Sequence, residues 1–362
     1  MKRRLFWAAI FIAGSLLILV LIGGLVLFDT LIRQSDELMG SSKESPYDAY
    51  YVLVTQETET DFWKSILQGA KERAKEENIY LNIQKDELSE SLTKQQQMEM
   101  AIHSGVDGII LDGDETQALS SLVDRAQAAG IPVVTIYHDC ASSSRISFVS
   151  ISGTNMGREY GNQICALAKE REAQTRSGAK GGSEAETGSG AEGGTDAETE
   201  PDAETEPVKV MVLLDFSDPT GTQTTLLTGI REAVELHGME DMIEIENALI
   251  PSDSMFSAQE EIRKLFAERK PADIFVCLDE LSTVSVSQLV VDYNLVGTTQ
   301  ILGFYNSEAI NSALEKQIIS ATVTADTYHM GSDAVEALTE YRQTGYVSDY
   351  YPAEISVVMS PK

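Results

Sequence analysis

The chain has 362 residues, with 57 acidic against 27 basic side chains and a formal net charge of -30, so it supplies no basic face for nucleic-acid phosphates. Its length and its 43% hydrophobic content suit two domains of ordinary size. The three cysteines, Cys140, Cys165 and Cys277, lack zinc-ligand spacing; Cys165 in a helical pattern and Cys277 in a strand pattern read as small core residues, which leaves the fold to its apolar core.

In chain order, Met1-Lys2-Arg3-Arg4 precedes an apolar run from Leu5 to Phe28, about the length that crosses a hydrocarbon core of roughly 30 Å. The basic residues should stay cytoplasmic and place everything after Asp29 outside the cell membrane. A cleaved signal peptide would have an apolar core of only about 7–15 residues and a small-x-small cleavage site. The run is longer and has no such site, so the expectation is an uncleaved single-pass transmembrane anchor over residues 5–28. A polar stalk, residues 29–46, leads to the first strand, Tyr50–Val54.

Helical patterns at Phe62–Glu77, Thr93–Ser104 and Thr116–Ala129 then alternate with strands at Ile79–Ile83, Gly108–Leu111 and Val133–Ile136, and a further strand follows at Phe148–Ile151. Gly105–Tyr137 is a complete strand–helix–strand unit. Apolar Gly108–Leu111 ends at Asp112-Gly113-Asp114, a helix carries Leu119, Leu122, Val123 and Ala126 on one face, and Gly130-Ile131-Pro132 stops it before Val133–Ile136. Strands this apolar, joined by a helical crossover, belong to a parallel sheet covered on both faces. Open sheets of this kind bind ligands at the carboxyl ends of their strands, which singles out Asp112, Tyr137 and His138.

From residue 172 to 207 the composition turns to Gly, Ser, Ala, Thr and Glu, with DAETEP written twice, and this acidic insertion is expected to be disordered. A tolerated surface insertion explains it at little cost in stability; a cell-wall spacer or an interaction tail are the functional alternatives. The alternation then resumes. Strands are predicted at Val208–Leu214, Ile243–Glu246, Ile274–Leu278 and Gln300–Phe304, with helices near Thr224–His237, Ala258–Glu268, Ser285–Asp292 and Glu308–Glu315. A tail adds a strand at Ile319–Thr324, a helix at Gly331–Thr344 and a last strand at Ala353–Val358.

The order and spacing of several segments resemble the sugar-type periplasmic substrate-binding proteins of bacterial ABC importers, the ribose- and galactose-binding group. The segments are FWKSILQGAKERAKEENI (Phe62–Ile79), GVDGIIL (Gly105–Leu111), AAGIPVVTI (Ala128–Ile136), GREYG (Gly157–Gly161), TGIREAV (Thr228–Val234), LDE (Leu278–Glu280), ILGFYNS (Ile301–Ser307) and ISATVTAD (Ile319–Asp326). The resemblance implies the type I periplasmic binding protein fold: two doubly wound α/β parallel-sheet lobes joined by a hinge of three chain crossings, near Ser152, Asp326 and Tyr350, and preceded here by the transmembrane helix. Residues 47–152 and 326–349 would form the amino lobe, and 153–325 and 350–362 the carboxy lobe. Such proteins close on a ligand that touches both lobes.

The pocket departs from that family. The aromatic pair after the first strand is kept as Phe62 and Trp63, and Asp112 is a polar residue at a position that, by the resemblance, commonly lines the cleft. Tyr137-His138 stand where the family has Asp-Arg, Leu278 where it has Asn, Tyr305 where it has Asp and Ala325 where it has Gln. A sugar held there would bury hydroxyls without partners at about 1–3 kcal/mol each, so ribose and galactose fit poorly. A flatter or less polar solute, or a sugar held by stacking and water, fits better; lobe–lobe packing around a small or absent ligand is the alternative. The residues expected to bind are Gln56, Thr60, Phe62, Trp63, Asp112, Tyr137, His138, Asp279, Tyr305 and Asp326, with Phe62 and Trp63 stacking and Asp112, His138 and Asp279 gripping polar groups.

No metalloprotease, nucleophile-elbow, phosphate-loop or paired CxxC motif is present, the four histidines lie in different elements, and Asp112, Asp114 and Asp139 read as solvated or capping acids. An enzyme, a cofactor and a metal are therefore not expected. Two functions compete: a tethered extracellular protein that hands a small, sugar-like solute to an ABC permease, and a ligand-sensing co-receptor for a membrane histidine kinase. A soluble repressor with the same core is disfavoured by the expected membrane segment and by the lack of a basic DNA-binding headpiece.

Overall fold

The computed structural model of the chain describes residues 46–56, 58–83, 92–182, 206–215, 221–251, 255–268 and 272–361. The expected anchor over residues 5–28 and most of the stalk lie outside these; among the described residues no helix is long and apolar enough to cross a membrane. The strands are β1 (Ala49–Val54), β2 (Ile79–Ile83), β3 (Gly108–Leu111), β4 (Val133–Ile136), β5 (Ser147–Ser150), β6 (Val208–Asp215), β7 (Ile243–Ile250), β8 (Ile274–Cys277), β9 (Gln300–Phe304), β10 (Ala321–Ala325), β11 (Tyr350–Pro352) and β12 (Ile355–Met359). The helices are α1 (Asp61–Glu76), α2 (Lys94–Ser104), α3 (Gln117–Ala128), α4 (Gly153–Gly182), α5 (Gly221–Leu236), α6 (Met255–Glu268), α7 (Glu280–Asp292), α8 (Glu308–Glu315) and α9 (Thr327–Thr344).

Two six-stranded sheets result, ordered β11-β5-β4-β3-β1-β2 and β12-β10-β9-β8-β6-β7. All pairings in the first are parallel, and in the second only β12 runs antiparallel, against β10. The inner strands β3, β4 and β8 are buried at every residue, as helices on both faces require. The helices start where their sequences say they should. Thr60 caps α1 by accepting from the Trp63 amide, and Thr93 and Gln96 close a reciprocal capping box on α2.

In the amino lobe α1 packs against α9 at a crossing that only glycine permits: a Cβ on Gly69 would run into the Tyr328 carbonyl, and one on Gly331 into the Ile66 carbonyl. The carboxy lobe repeats the device. There α4 packs on α5, with Gly157 against the Leu226 carbonyl and Gly229 against that of Thr154.

The chain passes between the sheets three times: after β5 at Ile151–Ser152, at Asp326 between β10 and α9, and at Ala353–Glu354 between β11 and β12. The last crossing corrects the expected one at Tyr350. Tyr350–Pro352 pairs in parallel with Phe148–Ser150 at the edge of the amino sheet, and Pro352 ends that short edge strand. The second and third crossings are tied together, Asp326 N donating to Glu354 O at 2.9 Å.

The acidic insertion also needs correction at its start. Helix α4 runs to Gly182, past residue 172 where composition predicts disorder, because Glu170-Arg171-Glu172-Ala173-Gln174 are good helix formers extending a helix already nucleated by packing. Residues 183–205 of the insertion lie outside the described residues.

Candidate ligand-binding cleft

The carboxyl ends of the two sheets face each other across the lobe boundary, and equivalent tyrosines stand there. Tyr137 follows β4 and Tyr305 follows β9, both in the left-handed region at φ 66° and φ 72°. That conformation is uncommon for a bulky residue and costs on the order of 1–3 kcal/mol. Matching hydrogen bonds hold it. Tyr137 N donates to Val149 O at 2.9 Å and Tyr305 N to Val323 O at 2.8 Å. Ser150 Oγ donates to Tyr137 O at 2.8 Å, and Thr322 Oγ1 to Tyr305 O at 2.6 Å.

Phe62, from the first turn of α1, touches both tyrosines, with ring centroids 4.8 Å from Tyr137 and 5.4 Å from Tyr305. Phe304 lies 5.8 Å from Phe62, and Trp63 stands edge-on to Tyr137 at 6.1 Å. These tilted and edge-to-face contacts are the arrangements aromatic quadrupoles favour. Phe62, Trp63, Tyr305 and their neighbour Phe304 are buried and Tyr137 is half-buried, so the four aromatic residues the sequence singles out, Phe62, Trp63, Tyr137 and Tyr305, lie together in an apolar cluster that continues through both lobes. The Tyr305 hydroxyl donates to the Asp61 carbonyl at 3.1 Å and lies 3.3 Å from Thr327 Oγ1, a direct tie from the carboxy lobe to the start of α1. Burial pushes the Tyr305 phenol above its ordinary pKa.

The acids behave differently. Asp112 is 1% exposed, and its carboxylate meets Lys94 Nζ at 2.7 Å, His138 Nδ1 at 2.8 Å and Thr55 Oγ1 at 3.3 Å. Burial pushes its pKa up, but the His138 hydrogen bond and the Lys94 charge together outweigh that and hold it below the usual carboxylate value. It therefore anchors His138 and takes no direct part in lining the cleft, contrary to the expected polar grip. Asp279, two residues beyond β8, caps α7: its carboxylate accepts from Ser282 N at 2.7 Å and from Ser282 Oγ at 2.9 Å. Burial pushes its pKa up more than these bonds lower it, and the Asp215 carboxylate adds to the rise.

Between the lobes is a pocket of about 90 Å³ lined by Tyr137, His138 and Ser150 on one side and by Asp215, Gln223, Leu278, Asp279 and Phe304 on the other. Of the residues expected to bind, Tyr137, His138 and Asp279 line it, whereas Phe62, Trp63, Asp112 and Tyr305 are buried outside its lining, and Gln56, Thr60 and Asp326 do not line it either. Gln56 is exposed and donates to Leu92 O at 3.4 Å, Thr60 caps α1, and Asp326 caps α9 and pairs with His329 at 2.6 Å, which raises the His329 pKa. A larger hollow of about 470 Å³, with Asp107, Pro132 and Arg342 on its wall, lies at the amino-terminal ends of β3 and β4, away from the cleft. Asp215, Ser150, Gln223 and Phe304 were missed from sequence. Asp215 and Phe304 end strands, as Asp112 follows one, so the strand-end rule applied to β6 and β9 would have found them. Among the described residues no group of three His, Cys, Asp or Glu could hold a metal ion.

Residues 50–345 match the profile of the periplasmic binding protein domain. The fold is similar to that of GanP, a glucose-galactose binding protein from Geobacillus stearothermophilus (22% identity, TM-score 0.66, covering 86% of this chain and 97% of that one). It is similar also to AraP, an arabinose binding protein from the same organism (15%, TM-score 0.65, 86% and 97%), and to the XylFII-LytSN complex (18%, TM-score 0.64, 87% and 99%). No curated protein matches in sequence. A match that spans most of the chain, on two lobes whose strand ends meet at one pocket, gives the conclusion: the chain belongs to the periplasmic binding protein domain family.

Proposed function

We propose that this protein is a membrane-tethered extracellular receptor that captures a small solute between its lobes and hands it to an ABC importer. The observation that carries this reading is the pocket at the carboxyl ends of both sheets, to which each lobe contributes polar and aromatic side chains. A solute touching Tyr137 and His138 as well as Asp279 and Phe304 favours the closed form, because only that form makes both sets of contacts. Ligand pockets usually measure roughly 300–1,000 Å³. At about 90 Å³ this one suits a small solute, or a sugar that displaces the Phe62 contacts and stacks in their place. The apolar run Leu5–Phe28 supports tethering with the lobes outside.

The test is a thermal-shift screen of the full-length protein in detergent against pentoses, hexoses, polyols, nucleosides and small aromatic solutes. A ligand at 100 times its dissociation constant should add about 2.7 kcal/mol of stability. Trp63→Ala should abolish most of that shift, and an unchanged affinity in the variant would show the cleft to be elsewhere. For delivery to an importer, the decisive result is uptake: import of a bound solute that is unchanged in cells lacking the protein would sink the idea.

A second reading, a co-receptor for a membrane histidine kinase, is favoured by one specific feature. The Tyr305 hydroxyl ties the lobes through the protein's own groups, so a closed surface is available to a partner, and a protein of similar fold is known as the XylFII-LytSN complex. Crosslinking of ligand-loaded protein in cells separates the two readings: a sensor protein captured supports this one, a permease the first.

A further inference from the structure

The lining of the cleft pocket has a chemical bias, and the inference drawn from it rests on the solute-binding reading above. Two carboxylates, Asp215 and Asp279, share the wall with the aromatic rings of Tyr137 and Phe304, and no lysine or arginine is among the described residues that line it. Asp279 forms no ion pair among the described residues; its carboxylate accepts from the amide and hydroxyl of Ser282 and from the Leu281 amide. At the next residue Glu280 Oε2 is buried without a hydrogen-bond partner among the described residues, and its charge reaches Tyr305. His138, which also lines the pocket, is held with its Nδ1 2.8 Å from the buried Asp112 carboxylate. The wall therefore offers carboxylate acceptors and π-faces, and among the described residues it has no lysine or arginine to grip an anion.

We propose that the pocket receives a protonated amine, the ammonium group of a small amine-bearing solute. An ammonium group is compact enough for about 90 Å³, donates to the Asp279 carboxylate, and is attracted to the rings of Tyr137 and Phe304. A neutral sugar hydroxyl draws much less from the same wall, because the bonds that gain most are those to a charged partner. The rest of the solute would lie toward Phe62 and Trp63.

The experiment compares matched pairs by calorimetry on the full-length protein in detergent: glucosamine with glucose, and cyclohexylamine with cyclohexanol, its neutral counterpart. Each cation should bind at least about tenfold tighter than its neutral twin. Asp279→Asn, which keeps a good helix cap, should erase that difference with little change in the unliganded melting temperature. Gln223→Lys, which puts the protein's own ammonium into the pocket, should abolish binding of the cations even if the first variant folds poorly. Neutral twins binding as tightly as the cations, or neutral solutes of the wider screen binding while both cations do not, would overturn this inference and leave the solute-binding reading standing. No binding in either set would overturn both.

Discussion

The two lobes solve the same backbone problem twice and fill it with different chemistry. Each has a six-stranded sheet in the same order, each ends its fourth strand in a left-handed tyrosine locked by an amide and a hydroxyl, and each packs two helices through glycines. Yet the acid that follows β3, Asp112, is paired with Lys94 and His138, whereas Asp279, just beyond β8, accepts hydrogen bonds from Ser282 and the Leu281 amide and has no ion pair among the described residues. Topology is thus shared between the lobes, and the electrostatics of the cleft is set side chain by side chain.

The strongest way to break that comparison is to remove a charge partner. Lys94→Met leaves Asp112 buried with only His138 and the Thr55 hydroxyl and should cost about 3–5 kcal/mol in urea unfolding, while Asp279→Asn should cost far less. Equal losses would show the two acids to be alike. The shared backbone predicts matched effects: Gly331→Ala in the amino lobe and Gly157→Ala in the carboxy lobe should each destabilise by about 1–3 kcal/mol through overpacking, and a large cost in one with none in the other would end the claim of equivalence.

Acidity should separate the lobes again. Asp112 has a folded pKa below its unfolded value, so its stabilisation is complete above the ordinary carboxylate range and is lost as pH falls through the lowered value. Asp279 has a folded pKa above its unfolded value, so its contribution is present below the unfolded pKa and is lost as pH rises through the raised one. In melting curves taken from acid to neutral pH, Asp279→Asn should remove that decline on the less acidic side and leave the acid limb, due to Asp112, in place. The smallest effect belongs to the tie between the lobes. Tyr305→Phe should cost about 0.5–1.5 kcal/mol and enlarge the radius of gyration in solution scattering, since the bond to the Asp61 carbonyl is one of the contacts holding the lobes together.

Much of this was legible in the sequence, and for local reasons. Apolar runs such as Gly108–Leu111 and Val133–Ile136, the threonines before α1, α2 and α3 and the glycine–proline stop at Gly130-Ile131-Pro132 act within a few residues, so strand, helix and boundary could be read one after another. The alternation of those elements then limits the fold to parallel sheets covered by helices. The aromatic members of the cleft could also be named, because they follow strands or open a helix at the cleft end.

What only the tertiary structure decided is who meets whom across the chain. That Asp112 is taken up by Lys94 and His138, that Tyr350–Pro352 joins the amino sheet before the chain crosses over, and that Tyr305 reaches Asp61, 244 residues away in sequence, all depend on distant segments brought together by packing. Residue type and periodicity record what a segment can bury or donate. Which partner receives it is set only when the sheets close, because the free energy of a buried charge or hydroxyl depends on its neighbours in space.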